Sequence, residues 1–337
     1  MTTSMLLGCD SPLFEAFDAA LVDLDGVTYR GPHAIASAPP ALADARAHGM
    51  KIIYVTNNAS REPETVAQHL SQLDIPTTAD EVLTAAQAAA ALLSDHVPPG
   101  ATVLIVGGAG LHTAVRDAGY TVVASAADKP DAVVQGFAPE VGWKDLAQAT
   151  YAVKAGAAYV ASNLDLTLPT EHGMAPGNGS LVGVVTTATG VTPFSAGKPQ
   201  PTMFHLAAQR LGARRPLAIG DRLDTDLQGA RSAGYPGLMV LTGVNNARDA
   251  LLAPPHQRPS FIGEDLACLA ESHPTPVFDG SRWHVGDAQS WVADGQVDIA
   301  GGTPINRVRA ACAAAWAAAD AGQTIGVERL PDLGVAS

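Results

Sequence analysis

Two aspartates close a strongly apolar segment near the start of the sequence. Residues 20–24 have the composition of a buried strand, yet Asp23 lies near its end and Asp25 follows it. Aspartate is depleted in strands, and a buried carboxylate is costly unless it is paired or bound to a metal ion. Packing alone would not select this ending, so the pair indicates a site whose chemistry requires negative charge.

Three further segments carry residues of similar type, and each follows an apolar run or opens a helix. Open parallel sheets bind their ligands at the carboxyl ends of their strands. The four segments therefore form one coherent site if the strands before them are neighbours in such a sheet. The three further segments are Thr56-Asn57-Asn58, Gly197-Lys198-Pro199 and the acidic stretch from Gly220 to Asp226.

Apolar runs that alternate with helical patterns predict the elements that position this site. The alternation is typical of βαβ units, so it predicts an α/β fold with a Rossmann-like parallel sheet and helices on both faces. The predicted strands are residues 20–24, 51–55, 102–106, 132–135, 157–161, 216–219 and 237–241.

The same pattern predicts a core domain that is interrupted by an insertion. Residues 1–80 and 193–263 form the two parts of the core, and residues 81–192 between them are long enough for a complete α/β domain. Residues 264–337 form a small C-terminal β/α extension. It contains an Asp294-Gly295 hairpin signal and an Ala-rich helical segment at 306–321.

Composition excludes several classes of partner. Twenty basic and thirty-three acidic residues give a net charge of −13, which is the wrong sign for a nucleic-acid binder. No apolar run approaches the roughly 20 residues of a membrane span, and no signal peptide is recognisable. Cys9, Cys268 and Cys312 lie far apart without metal-ligand spacing. We therefore expect a cytoplasmic protein with no membrane span.

The four segments, in this order, resemble the motifs of the haloacid dehalogenase superfamily of phosphatases. The most similar branch is subfamily IIA, the NagD-like and p-nitrophenyl phosphatase-like enzymes with a large inserted C2-type cap. The resemblance spans about residues 21–243 and extends to cap segments 161–165 and 176–179. Glycerol 3-phosphate and phosphoglycolate phosphatases of this branch look most similar, and their caps commonly form a dimer interface. The resemblance thus implies a phosphatase, with homodimerisation through the cap as the expected assembly.

The residues themselves fit the hydrolysis of a phosphate monoester, which requires a nucleophile, a proton for the leaving oxygen and a cation. We expect Asp23 to attack phosphorus and form an aspartyl-phosphate. Asp25 would protonate the leaving alkoxide and then deprotonate the attacking water. Nearby carboxylates and partial burial are expected to raise the pKa of Asp25 for the acid step. Lys198 would supply fixed positive charge beside the phosphoryl oxygens.

A divalent cation is expected, because Asp23, Asp221 and a phosphate dianion cannot otherwise share a pocket. We predict Mg²⁺. The resemblance implies that its ligands are the Asp23 side chain, the backbone carbonyl of Asp25 and the Asp221 side chain. We interpret Asp226 as a carboxylate that contacts these ligands and not the metal ion itself. Asp224 is interpreted either in the same way or as a negative charge at a helix N-terminus.

Phosphate is expected at hydrogen-bond donors near the start of a helix. Thr56, Asn57 and Asn58 offer side-chain and backbone donors of this kind. Gly26 would let backbone amides approach the same group, because it has no side chain. The sequence thus predicts these four positions as phosphate-binding residues.

Cap segment 163–180 is expected to recognise the leaving group of a small-molecule phosphate ester. It offers Asn163, Glu171, His172 and Asn178, and it contains no Lys or Arg. A carboxylated leaving group such as glycolate would need a cationic partner, whereas hydroxyl groups can be bound by Asn, Glu and His. The sequence therefore predicts glycerol 3-phosphate as substrate, with phosphoglycolate as the alternative.

Other interpretations fit parts of the pattern. A lone Asp-x-Asp is more often a turn and a lone Gly-Asp a helix cap, so only the ordered set favours catalysis. Dehalogenation is disfavoured because a halide needs no proton donor such as Asp25. A protein phosphatase and a non-catalytic phosphate sensor are the remaining alternatives. Residues 103–110 resemble the start of a dinucleotide fingerprint, but no acid follows the next apolar run, so we expect them to open the cap's own sheet.

Overall fold

The backbone contacts divide the chain into two units, which the computed structural model describes over residues 5–170, 172–326 and 330–335. Unit one contains Met1–Tyr54, Leu73–Ile75 and Ala208–Ser337. Unit two contains Val55–Gln72 and Pro76–Ala207. The domain bounds given above stay a prediction.

Strands and helices alternate through most of both units. The strands are β1 (Ala19–Val22), β2 (Tyr29–Arg30), β3 (His33–Ala34), β4 (Lys51–Thr56), β5 (Val82–Thr84), β6 (Thr102–Val106), β7 (Thr121–Val123), β8 (Ala132–Gln135), β9 (Ala158–Ala161), β10 (Thr167–Thr170), β11 (Gly173–Pro176), β12 (Phe194–Ser195), β13 (Pro216–Gly220), β14 (Gly237–Val240), β15 (Phe261–Gly263), β16 (Val277–Phe278), β17 (Trp283–Val285), β18 (Ala288–Ala293) and β19 (Gln296–Gly301). The helices are α1 (Leu13–Ala16), α2 (Ala38–Ala47), α3 (Pro63–Gln72), α4 (Ala85–Leu92), α5 (Ala109–Asp117), α6 (Trp143–Lys154), α7 (Asn178–Thr189), α8 (Thr202–Leu211), α9 (Gln228–Ser232), α10 (Ala247–Leu251) and α11 (Pro304–Asp320).

A parallel sheet with the order β15-β14-β13-β1-β4 forms the centre of unit one. Strand β1 lies inside it, with Ala19–Val22 paired to β13 on one side and to β4 on the other. All four residues of β1 are buried, as expected for a strand covered on both faces. The predicted α/β fold with a Rossmann-like parallel sheet is confirmed.

Unit two has its own parallel sheet, with the order β12-β9-β8-β6-β7. Residues 103–110 run from β6 into α5, and β6 is the first strand of this sheet along the chain, as expected for the segment that opens it. Strands β10 and β11 form a separate antiparallel hairpin just before α7. The hairpin was not predicted, because its exposed residues do not alternate clearly between polar and apolar types.

The C-terminal segment is an antiparallel sheet, β16-β17-β18-β19, followed by the long helix α11. Asp294 and Gly295 connect β18 to β19 with positive φ angles of 49° and 74°, so the predicted hairpin is correct. Helix α11 contributes Val308, Cys312 and Trp316 to a core cluster that also contains residues of β14 and α10. The extension is therefore packed into unit one.

Each predicted strand is present, with ends that differ by at most two residues. The largest difference is at β1, which ends at Val22 because the chain turns there. The carbonyl of Leu24 accepts hydrogen bonds from the backbone amides of Val27 and Thr28. In the described part of the chain, no helix is long and apolar enough to cross a membrane.

A buried histidine joins α11 to the segment after β15. His273 and Arg309 are both almost fully buried. Arg309 Nη2 donates to His273 Nδ1 at 3.1 Å, and Nε2 of the histidine lies 3.2 Å from the carbonyl oxygen of Cys268. Because a guanidinium can only donate, this geometry requires the neutral histidine with its proton on Nε2. Burial first, and the Arg309 charge second, lower the pKa of His273 from 6.5 to about 4.

We expect His273→Gln to reduce the loss of stability in acid. Between pH 6.5 and pH 4 the unfolded chain binds a proton on His273 that the folded chain does not, so stability falls as the pH falls through this range. From pH 7 to pH 5 this linkage lowers the wild-type free energy of unfolding by about 2 kcal/mol. Glutamine does not titrate, so urea unfolding of the variant at both pH values should lack this difference. Equal pH dependence in the two proteins would contradict the assignment.

Candidate functional site

Three carboxylates meet at the carboxyl ends of two neighbouring strands of unit one. Asp23 follows β1, Asp221 follows β13, and Asp226 lies in a π-helical turn, Leu223–Leu227, just beyond. One carboxylate oxygen of each lies within 4.8 Å of the others. Asp221 and Asp226 are buried and Asp23 is partly exposed. The predicted pairing of Asp23 with Asp221 is thus present, because β1 and β13 are paired in register.

The turn after β1 brings Gly26 against the second aspartate. Gly26 has a φ of +80°, and a Cβ there would lie 2.4 Å from Asp221 Oδ2. A side chain at this position would therefore occupy the space of the carboxylate. Asp25, one residue earlier, has an exposed side chain, so the expected partial burial of its carboxyl is wrong. The cause is the early end of β1, after which the chain turns.

A loop that the sequence analysis missed covers Asp221. It follows β14, and Val244 donates its backbone amide to Asp221 Oδ2 at 2.6 Å. A Cβ at Gly243 would lie 1.9 Å from the same oxygen. Thr242 Oγ1 donates to the carbonyl of Gly26 at 2.6 Å. The signal for this loop is present in the sequence as Gly243 and a polar pair, Asn245 and Asn246, directly after the predicted strand 237–241.

Asp226 and Asp224 differ clearly in their surroundings. Asp226 Oδ2 accepts from the backbone amide of Arg222 at 3.1 Å, and a Cβ at Gly220 would overlap the Asp226 side chain. Asp224 is exposed and forms an ion pair with the Arg222 guanidinium, with a nitrogen to oxygen distance of 2.9 Å. Only Asp226 belongs to the carboxylate cluster, so it lies where it could contact the same ion as Asp23 and Asp221.

The donor set fits a hard divalent cation. Carboxylate oxygens are the ligands that Mg²⁺ and Ca²⁺ prefer. Three carboxylates this close repel one another when all are ionised, and a cation among them offsets that repulsion. The backbone at Gly26 and at Gly243 packs so closely against the Asp221 carboxylate that neither position has space for a side chain. Only a small group such as a metal ion fits beside this carboxylate.

Lys198 is held by an asparagine of the same unit. Asn57 accepts from the Lys198 backbone amide at 2.8 Å and donates to the Lys198 carbonyl at 3.1 Å, so one carboxamide engages both backbone groups. The side chain of Lys198 is buried, and its ammonium donates to the carbonyl of Val55 at 3.1 Å. The Asn57 amide nitrogen also lies 3.0 Å from Asp165 Oδ2. The structure thus brings Asn57 and Lys198 together.

Thr56 and Asn58 organise the turn before α3. Thr56 is the buried last residue of β4, and its hydroxyl accepts from the Asn58 amide at 3.2 Å. Asn58 is exposed, and its Oδ1 accepts from the backbone amides of Ser60 and Arg61. Such hydrogen bonds are typical of turns and helix starts. The Asn58 oxygen is therefore already used locally.

Asn163 and Asn178 are buried and bonded to backbone. Asn163 donates to the carbonyl of Asn57 at 2.8 Å, and Asn178 donates to the carbonyl of Asn163 at 2.7 Å. Gln135, at the end of β8, accepts from the hydroxyl of Tyr159 at 2.6 Å, and burial raises the pKa of that phenol. These amides fix the turn after β9 against the segment that carries Asn57.

His172 lies in the turn between β10 and β11. His172 is exposed, and its backbone amide donates to Thr170 Oγ1 at 3.2 Å. Glu171 lies outside the described residues. Of the four predicted leaving-group residues, His172 is thus the one with an exposed side chain in the described structure.

Comparison with known proteins gives consistent matches along the chain. Residues 20–121 match the family of haloacid dehalogenase-like hydrolases, and residues 195–269 match a HAD-hydrolase-like family. The sequence is 46% identical over 309 residues to D-glycerol 3-phosphate phosphatase of Mycobacterium tuberculosis. That alignment covers 89% of this chain and 86% of the other protein.

Two solved structures have a similar fold. Glycerol phosphate phosphatase from Mycobacterium tuberculosis in complex with magnesium superimposes with a TM-score of 0.84 at 42% identity, over 91% of this chain and 92% of that chain. A double mutant of the thermostable NPPase from Geobacillus stearothermophilus gives a TM-score of 0.67 at 33% identity, over 74% of this chain and 97% of that one.

We expect Gly243→Ala to destabilise the protein and Gly183→Ala to leave it at least as stable. The new methyl group at position 243 would lie 1.9 Å from Asp221 Oδ2, whereas Gly183 in α7 has no atom within 4 Å of the added Cβ. Overpacking of this kind costs about 1–3 kcal/mol. Alanine in a helix is favoured over glycine by about 1 kcal/mol. Urea unfolding without added metal measures both, and equal stability of the two variants would contradict the close contact.

Proposed function

The chain belongs to the haloacid dehalogenase-like hydrolases, and we propose that it is a Mg²⁺-dependent phosphatase that hydrolyses a small phosphate monoester through an aspartyl-phosphate. The observation that carries this proposal is the cluster of Asp23, Asp221 and Asp226, whose oxygens lie within 4.8 Å of one another. The match to a family of hydrolases and to named phosphatases supports the enzyme class.

In the proposed reaction Asp23 is the nucleophile. One oxygen of its carboxylate forms a bond to phosphorus while the bond from phosphorus to the ester oxygen breaks. Asp25 gives its proton to that oxygen, and the alcohol leaves. Water then attacks phosphorus, Asp25 takes the proton of this water, and the bond to Asp23 breaks to release inorganic phosphate. The exposed position of Asp25 suits a group that exchanges protons with the leaving group and with water.

We assign the metal to Asp23, Asp221 and the backbone carbonyl of Asp25, with Asp226 beside them. A bound Mg²⁺ would offset the negative charge of the phosphoryl group and orient it for in-line attack. The backbone amide of Val244 and the close approach of Gly243 hold the Asp221 carboxylate in one orientation. The magnesium complex of the glycerol phosphate phosphatase from Mycobacterium tuberculosis supports this cofactor.

We assign to Lys198 the fixed positive charge on the phosphoryl oxygens. Asn57 engages both backbone groups of Lys198, which restricts where its side chain can point. Thr56 and Asn57 are the proposed phosphate donors, through backbone amides and the Thr56 hydroxyl. The Gly26 amide itself donates to the Tyr29 carbonyl at 2.8 Å, so Gly26 would contribute by leaving space for the phosphate to approach backbone amides. Asn58 is the weaker candidate, because its side-chain oxygen already accepts from the turn before α3.

We propose glycerol 3-phosphate as the substrate, with phosphoglycolate as the alternative. The similarity to D-glycerol 3-phosphate phosphatase supports this choice. The absence of Lys and Arg from residues 163–180 also favours a hydroxylated leaving group over a carboxylated one. Asn163 and Asn178 donate to backbone, so they act on the leaving group through the position of the turn, whereas exposed His172 is suited to direct contact.

Unit two carries exposed apolar side chains that favour self-association. We propose a homodimer formed through unit two, because large apolar side chains of this unit are exposed. Trp143 and Tyr151 on α6 are 75% and 56% exposed, and Met174 on β11 is 67% exposed. Removing such surfaces from water favours association. A cytoplasmic location is consistent with three free cysteines, Cys9, Cys268 and Cys312.

We expect Asp23→Asn to abolish phosphate release while the protein stays folded. An amide is not a nucleophile toward phosphorus, so kcat should fall by at least about 1,000-fold. The matched control is Asp298→Asn, which removes one exposed carboxylate from strand β19 and should keep wild-type activity. Phosphate release with Mg²⁺ present and circular dichroism of each protein give the two readouts. Turnover that survives in folded Asp23→Asn would refute the covalent mechanism.

A panel of phosphate esters tests the substrate. We expect kcat/KM for glycerol 3-phosphate to exceed that for phosphoglycolate by about tenfold, because residues 163–180 offer no cation to the carboxylate. Pyridoxal phosphate and nucleotides in the same panel test larger leaving groups. A higher kcat/KM for phosphoglycolate would contradict the argument from the missing cations but would leave the phosphatase assignment intact.

A further inference from the structure

The loop that covers Asp221 is itself held by one asparagine side chain. Asn245 Oδ1 accepts from the backbone amide of Leu223 at 2.9 Å, and its Nδ2 donates to Asp249 Oδ2 at 3.1 Å. The backbone amide of Asn245 also donates to the Asp221 carbonyl at 3.2 Å. Asn245 therefore ties together the start of the π-helical turn after β13 and the first turn of α10.

Helix α10 is too short to be stable on its own. It has five residues, Ala247–Leu251, and helices of this length are unstable without tertiary packing. Its start is capped by Asn246, whose Oδ1 accepts from the amides of Arg248 and Asp249. Asp249 Oδ2 accepts from the Asn246 amide at 2.9 Å, as well as from Asn245. The position of α10 therefore depends on what packs against its other side.

Helix α11 of the C-terminal extension supplies that packing. Trp316, 1% exposed, donates its indole nitrogen to the carbonyl of Ala250 at 3.0 Å. Ala247, Ala250 and Leu251 of α10 belong to the same buried cluster as several residues of α11. The charged group of Arg258 lies over the Trp316 ring and pairs with Asp320 at the end of α11 at 2.8 Å.

These contacts form a continuous path from the extension to a proposed metal ligand. Trp316 contacts α10, α10 carries Asp249, Asp249 holds Asn245, and Asn245 holds the backbone at Asp221 and Leu223. The neighbouring residue Val244 bonds the Asp221 carboxylate directly. Groups that orient metal ligands in this way commonly change metal affinity by about 10–100-fold when they are removed.

We propose that the C-terminal extension supports the metal site through α10, with Asn245 as the positioning residue that orients Asp221. The extension thus acts on the phosphatase reaction by fixing one metal ligand. Asn245 does not touch the substrate in this assignment. The inference rests on the proposed Mg²⁺ site and goes beyond it by giving the extension a role in metal binding.

The test measures Mg²⁺ binding to the full-length chain by titration calorimetry without substrate, so that it does not depend on turnover. Asn245→Ala should raise the Kd for Mg²⁺ by about tenfold. At saturating Mg²⁺, its KM for glycerol 3-phosphate should stay within about twofold of the wild-type value, because phosphate and leaving-group contacts are unchanged. The melting temperature without metal reports whether the fold itself is weakened.

Two matched tryptophan variants test the contribution of α11. Trp316→Phe removes the hydrogen bond to Ala250 and should raise the Kd for Mg²⁺, though by less than Asn245→Ala. Trp291→Phe, on β18 of the same extension, should leave it unchanged. The Trp291 ring contacts the Arg282 guanidinium at 4.2 Å from its centroid, and no described contact links it to α10.

The outcomes separate this inference from the proposed function. A wild-type Kd in folded Asn245→Ala would overturn the positioning role. If Asn245→Ala does not fold, Trp316→Phe decides, and a Kd equal to that of Trp291→Phe would overturn the role of the extension. If the wild-type chain binds no Mg²⁺, the proposed function fails and this inference fails with it. The inference is supported if Asn245→Ala and Trp316→Phe bind Mg²⁺ more weakly than the wild-type chain and Trp291→Phe does not.

Discussion

The electrostatic repulsion among three neighbouring carboxylates is the constraint that the loops of unit one around Asp221 must satisfy. Asp23, Asp221 and Asp226 each place an oxygen within 4.8 Å of the others. Such an arrangement is unfavourable unless a cation or well-placed donors offset the charge. The fold supplies part of this through backbone amides, since Val244 donates to Asp221 and Arg222 donates to Asp226. The proposed Mg²⁺ would supply the rest.

Close backbone approach follows from the same constraint. Two loops surround Asp221, and each contacts it through a glycine, Gly26 or Gly243, at positions where a Cβ would lie within 2.4 Å of the carboxylate. The loops are also joined to each other by the hydroxyl of Thr242. In unit two, the Asn57 side chain fixes the backbone of Lys198 in a similar way, by bonding both its amide and its carbonyl. Hydrogen bonds to backbone groups restrict the position of a charged residue without adding further charge.

The C-terminal extension is best understood as part of the same core. Its helix α11 shares a buried cluster with β14 and α10, and Trp316 bonds α10 directly. His273 and Arg309 make a second buried connection, from α11 to the segment after β15. Because both connections are buried, the extension and the edge of the parallel sheet are expected to unfold together. This coupling is a physical reason for an extension that carries no recognisable catalytic motif.

The sequence by itself determined the α/β class and the parallel strands, because buried strands are local patterns. It also indicated Asp23 and Asp221 as acidic strand ends, and the pairing of β1 with β13 then brought them together. It also determined the Asp294-Gly295 hairpin, whose turn chemistry is local. Only the tertiary structure decided that Asp25 is exposed, that Asn163 and Asn178 bond to backbone, and that Val244 and Asn245 reach Asp221. These properties depend on groups distant in sequence that approach within hydrogen-bond distance, and no local pattern encodes such an approach.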